Sequence, residues 1–198
     1  MLKDKIKFLL ILISFLIIPK NSFSIEPNIF VQSTVNRASQ ILSDDISKSE
    51  KIEKLKQVAI DTVDIKGIGF YTLGKYRKEL SDAQKEKYNE LFKNYFLKSF
   101  SSRLAEYTNP KIDVQSQEKL SENYTIVSSI LVATETRPEV KIQWRIYTKN
   151  PDKPMIRDLI IEGLSLARTQ KEEFGSIIQS NDGNIDTLFS SLKKFINN

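Results

Sequence analysis

The segment 124–165 constrains the fold more than any other part of the chain. It holds three apolar runs, YTIVSSILVAT, VKIQWRIYT and MIRDLIIEG, the last closing into LSL. In the middle run Val140, Ile142, Trp144 and Ile146 alternate with Lys141, Gln143, Arg145 and Tyr147. A period of two puts the apolar set on one face of a strand and the polar set on the other. Arg137-Pro138 separates the first two runs, and Asn150-Pro151-Asp152-Lys153-Pro154 the second two. Links this short and this rich in turn formers pair neighbouring strands antiparallel, as a meander. Such a sheet has one greasy face, which the rest of the chain must cover.

That remainder reads as helices. Phe30, Val31, Val35, Ala38, Ile41 and Leu42 give a first helix over 27–42, with Pro27 in its first turn. A polar loop, 43–49, leads to a second helix over 49–63, whose stripe is Ile52, Leu55, Val58, Ala59 and Val63. Asp64 is placed to cap a short third helix over 65–73, which Gly74 ends in a left-handed conformation. Ser81 and Gln84 then make an S-x-x-Q capping box. It starts the strongest helix, on which Tyr88, Leu91, Phe92, Tyr95, Phe96, Phe100, Leu104 and Tyr107 recur at steps of three and four until Asn109-Pro110. This aromatic stripe packs on the sheet as core, or part of it walls a cavity; both readings bury the rings.

Residues 111–120 form a further strand ahead of the meander, with Ile112, Val114 and Leu120 as its apolar positions. After it, Thr169 and Glu172 repeat the capping box at the start of a helix carrying Phe174, Ile177 and Ile178. Asn181-Asp182-Gly183 turns the chain into a last helix marked by Ile185, Leu188, Phe189, Leu192, Phe195 and Ile196. The order of elements is that of an α+β fold, helices packed on one curved antiparallel sheet in a single domain over 25–198.

Residues 1–24 stand apart. Lys3, Lys5 and Lys7 precede an apolar run, 8–18, that is shorter than the roughly 20 residues of a membrane span. Ser22-Phe23-Ser24 has the small-x-small pattern of a signal-peptidase site, so a cleaved export leader is expected. Lys3, Lys5, Lys7 and Lys20 against Asp4 account for +3 of the formal charge of +5, leaving about +2 for the mature chain. With no basic stripe interleaved with stacking aromatics, nucleic acid is not an expected partner.

Chemistry is sparse. The chain has no Cys and no His, which removes thiol nucleophiles, Cys/His zinc sites and the imidazole base. No phosphate loop, dinucleotide fingerprint, zincin helix or nucleophile elbow is present. Asp158 and Glu162 stand four apart, with Arg145 and Arg157 as ready partners, and read better as a polar face than as a paired-carboxylate site. Asp61 and Asp64 read as helix-end residues, and Gly67 and Gly69 as places of close approach. Neither a catalytic nor a metal site is expected.

Three stretches carry a family resemblance: VDIKGIGFYTLGKYRKELSDAQKEKYNELFKNYF, DLIIEGLSL and TQKEEFGSII. In order and behind a leader, they resemble the bacterial phospholipid-shuttle family MlaC. The matching positions include Asp64, Leu73-Gly74-Lys75-Tyr76, Asp158, Glu162-Gly163 and Ser165. Arg77 stands where the family often has a second aromatic. The resemblance implies an NTF2-like or cystatin-like fold and a monomer of the Gram-negative periplasm. Its cargo would be a glycerophospholipid, and it would need no cofactor. Its implied partners are an outer-membrane lipoprotein–porin complex and an inner-membrane ABC transporter with its MCE subunit.

On this reading the cavity wall comprises Ile68, Tyr71, Phe92, Phe96 and Phe100 from helices, and Val127, Ile142, Trp144, Ile146 and Leu159 from strands. Two other classes compete. A secreted NTF2-like enzyme on a small apolar substrate would need convergent Asp, Glu, Tyr or Lys groups in its pocket. A structural envelope module would have a filled core.

Overall fold

The computed structural model describes residues 24–198. The leader expected over 1–24 lies, but for Ser24, outside them. The elements run α1 (Pro27–Ser43), α2 (Lys48–Thr62), α3 (Ile65–Thr72), a 3-10 turn (Gly74–Lys78), α4 (Asp82–Leu104), β1 (Ile112–Ser121), β2 (Tyr124–Leu131), β3 (Val140–Tyr147), β4 (Met155–Ile161), β5 (Leu164–Ser165), α5 (Leu166–Gln179) and α6 (Ile185–Asn197). The α+β expectation holds: six α-helices pack on one open antiparallel sheet of order β1-β2-β3-β4-β5.

The meander pairs as its period demands. Val127 faces Trp144 and Ser129 faces Ile142 across β2 and β3; Trp144 faces Leu159 across β3 and β4. One face therefore presents Val127, Ile142, Trp144 and Ile146 to a core completed by the helices, chiefly through Ala59, Ile68, Tyr88, Phe92, Phe174 and Phe189.

The helix starts follow side-chain chemistry. Ser47 and Glu50 form a capping box on α2, inside the segment expected to be loop, and Ser81 and Gln84 form the expected one on α4. The Asp64 carboxylate accepts from the Gly67 amide at 2.9 Å and so caps α3. The last boundary differs from expectation. Glu162 (φ 48°) and Gly163 (φ 82°) reverse the chain so tightly that Leu164 and Ser165 return as β5, and Ser165, not Thr169, caps α5 through the Arg168 amide. Thr169 lies inside the helix and donates to the Ser165 carbonyl.

Strand β1 is present, but Leu120 is 50% exposed rather than apolar core. A register irregularity between Lys119 and Ser121 drops it out of the pairing. Tyr107 is likewise beyond the end of α4 and exposed.

Gly69 shows how closely α3 and α4 approach. A Cβ there would stand 2.8 Å from Cδ1 of Phe92, a ring buried in the core. Gly69→Ala gains up to ~1 kcal/mol in helix propensity but overpacks a full interior at ~1–3 kcal/mol. The expected net loss is about 1 kcal/mol, read as a lower urea midpoint at unchanged slope. A midpoint equal to or above that of the parent protein would show that the Phe92 ring yields freely.

Candidate functional site

Nothing in α4 is more telling than its neighbours. Its close backbone neighbours are α2, α3 and α6, whereas α1, α3 and α5 are the helices that lie on the strands. The longest and most aromatic helix reaches the strand side chains of the core through its own side chains. Phe92 is buried and packs near Tyr88, Tyr95, Phe96 and Phe174. One and two turns further on, Phe96 and Phe100 stack at 5.5 Å between ring centres, and both are only partly buried. On the strands Val140 and Leu159 are likewise packed against the core without being fully covered.

Nine of the ten residues expected to form the cavity wall join this one apolar cluster. Ile68, Phe92, Val127, Ile142, Trp144 and Ile146 are buried in it, while Phe96, Phe100 and Leu159 border it. Tyr71 does not join it. It is 42% exposed, with the Lys171 ammonium 5.1 Å from its ring centre. The buried stripe of α3 is Ile68, Gly69 and Thr72 instead, because Gly69 offers bare backbone to Phe92 and Thr72 spends its hydroxyl internally.

The polar groups within the cluster are satisfied locally. Trp144 Nε1 donates to Ser129 Oγ at 2.8 Å. Thr72 donates to the Gly69 carbonyl and bonds the Tyr88 phenol at 2.8 Å. Burial pushes the Tyr88 phenol well above the ordinary tyrosine range, against the pull of Thr72, so it stays protonated. Ser101 donates to Leu97 and Thr62 to Val58 within their own helices. Period-two alternation from Val127 to Leu131 already places Ser129 on the core face, which was the sequence signal for the Trp144 partner.

The charged groups follow expectation at Arg145, which pairs with Asp158, and depart from it at Arg157. Asp158, 3% exposed, accepts from Ser165 Oγ at 2.6 Å and from the Ala167 amide at 3.0 Å; Arg145 approaches it at 3.6 Å. Glu162 lies in the turn rather than on the strand and accepts from the Lys141 amide. Arg157 serves neither carboxylate. A register irregularity opposite Arg145 and Ile146 makes Arg157 an extra residue in β4, and it turns to Asp64 instead. Nε and Nη2 reach Asp64 Oδ2 at 2.7 and 2.6 Å, Nη1 donates to the Tyr124 hydroxyl at 2.7 Å, and the guanidinium lies 3.6 Å from the Tyr147 ring centre. Burial works against its charge, but the bonds to Tyr124 and Asp64 outweigh it and hold the group above the ordinary arginine range.

Alongside, the Asp64 amide donates to the Ile156 carbonyl at 2.9 Å, and Val63 bridges Ile156 in parallel. The α2–α3 junction is thereby pinned to β4. Among the described residues, no cluster of three or more acidic side chains could hold a metal ion, and no helix is long and apolar enough to cross a membrane.

Sequence comparison settles the ancestry. The profile of the MlaC protein family matches residues 32–194. The chain belongs to the MlaC family. One curated MlaC, the intermembrane phospholipid transport system binding protein of Haemophilus influenzae, is 26% identical over 135 residues, 67% of this chain. The match spans 62% of that relative's length. Among solved structures, the phospholipid-binding protein of Ralstonia solanacearum, determined in complex with a phospholipid, has the same fold. Its TM-score is 0.73 at 18% identity, over 87% of this chain and 97% of that one.

Proposed function

We propose that residues 25–198 are a single lipid-binding domain, exported by a cleaved leader, that carries a glycerophospholipid through the Gram-negative periplasm. The acyl chains lie between α4 and the sheet, and the head group stays in water. The carrier passes its cargo between an outer-membrane lipoprotein–porin complex and an inner-membrane ABC transporter with its MCE subunit, and performs no reaction on it. The observation that carries this reading is the aromatic face of α4, whose Phe96 and Phe100 border the apolar core without being fully covered. The phospholipid-binding roles of the Haemophilus and Ralstonia proteins point the same way.

The physics fits a carrier. Each methylene withdrawn from water is worth ~0.8 kcal/mol, so a two-chain lipid does not leave a bilayer without a comparable apolar space. The rings and branched side chains of this cluster offer one. The enzyme reading gains nothing from the site, because Asp158, Thr72 and Ser129 are each committed to internal hydrogen bonds. Native mass spectrometry of protein purified without added lipid tests the proposal. Stoichiometric phospholipid is expected; a chain with empty mass from cells of ordinary envelope composition would overturn it.

A further inference from the structure

A cavity of about 460 Å3 opens between the 3-10 turn and α5. Leu73, Gly74, Lys75 and Tyr76 line one side, and residues of α5 from Lys171 to Ser180 the other. Leu73 and Tyr76 are themselves buried and close it off from the core.

Two features make this more than a surface fold. The first is room provided by glycines. Gly74, at φ 56°, lets the Lys171 side chain cross its backbone at a distance where a Cβ would stand 3.0 Å from Lys171 Cε, and a Cβ on Gly175 would meet only open space. The second is the state of the cations. Lys171 lies 5.1 Å from the Tyr71 ring centre and Lys75 5.1 Å from that of Tyr76, and neither forms an ion pair among the described residues. An aromatic face attracts an ammonium group but accepts none of its hydrogens as an oxygen would. Both lysines are therefore positioned with their N–H donors unspent. Gln179, Ser176 and Ser180 add neutral donors, and Glu172 is the single carboxylate of the lining. Arg77 and Lys78 extend the positive surface along the turn.

We propose that this cavity is an anion site for a phosphate ester, separate from the cargo site. Its chemistry suits a phosphate at a lipid surface or a soluble phosphate equally, and the probes distinguish the two. The first arm titrates inorganic phosphate into the loaded protein and follows amide resonances. Saturable shifts are expected at Gly74, Lys75, Gly175 and Ser176. They should vanish in Lys75→Gln/Lys171→Gln and in Gly175→Leu, which fills the cavity without touching charge. The second arm floats the protein with phosphatidylglycerol vesicles and, separately, phosphatidylcholine vesicles. If the source is a lipid head group, binding to the former is roughly thirtyfold weaker in Lys75→Gln/Lys171→Gln. It is unchanged in Lys193→Gln/Lys194→Gln on α6. A response in the phosphate arm alone assigns a soluble ligand. Pocket amides unmoved by phosphate, together with vesicle binding equal in both double variants, would overturn the site. Retained cargo lipid in every variant checks folding and keeps this test independent of the carrier proposal.

Discussion

Arg157→Ala is expected to destabilise the fold by about 3 kcal/mol, the largest loss from any single surface-reaching side chain. The guanidinium joins three separate parts of the molecule. It makes two contacts to Asp64 on the α2–α3 junction, donates to Tyr124 at the start of β2, and lies against the Tyr147 ring at the end of β3. Removing one member of a fully buried pair costs ~3–5 kcal/mol because the other charge is left without a partner. Here both side chains are about a quarter exposed, which lowers that figure. The stacked ring contact adds ~1–2 kcal/mol back. Arg157→Lys should recover little, since an ammonium cannot donate along two edges while lying flat on a ring. Thermal and urea unfolding of both variants provides the check. A transition for Arg157→Ala close to the parent's would mean that water replaces the network at no cost.

Phe96→Asp should leave the fold standing and strip the cargo. The Phe96 ring borders the core instead of filling it, and its loss forfeits contacts with Phe92 and Phe100 worth ~0.5–1.5 kcal/mol each. An aspartate facing acyl chains is costlier, at ~3 kcal/mol by analogy with a carboxylate in the middle of a bilayer. That corresponds to roughly a hundredfold in lipid affinity. Co-purified phospholipid should fall to a trace, while Phe96→Leu, apolar and of similar reach, keeps it. A folded Phe96→Asp protein with its full complement of lipid would remove this helix face from the binding site. Because Arg157→Ala acts on stability and Phe96→Asp on occupancy, the pair separates architecture from cargo.

Much of the fold was legible because its signals are local. The β3 alternation fixed the face of Ile142, Trp144 and Ile146, and the turn-rich links announced the antiparallel order in which Val127 and Leu159 come to pair with Trp144. Ser81 with Gln84, and Asp64 alone, announced two helix starts through backbone donors that a neighbouring oxygen satisfies. What escaped was set by long-range geometry. Arg157 was assigned to acidic neighbours in its own strand, since nothing in the sequence marks the irregularity that rotates it towards Asp64. Tyr71 was expected on the cavity wall and Thr72 was not among the expected residues. The structure reverses them because Gly69 brings α3 so close to Phe92 that the small, internally bonded threonine fits and the large ring does not. Ser165 displaced Thr169 as a cap because the left-handed pair Glu162-Gly163 saves several residues of connection. The partial cover of Phe96 and Phe100 left no trace in the α4 stripe, which looks the same whether its rings are sealed in or left open.

The pinned junction at Val63 and Asp64 has a mechanical corollary. β4 is tied by main chain to the α2–α3 junction, whereas among the described residues no backbone hydrogen bond joins α4 to a strand. The α2–α3 junction is thus held to the sheet by main chain, and the α4 rings Phe96 and Phe100 are held to the core by side-chain packing.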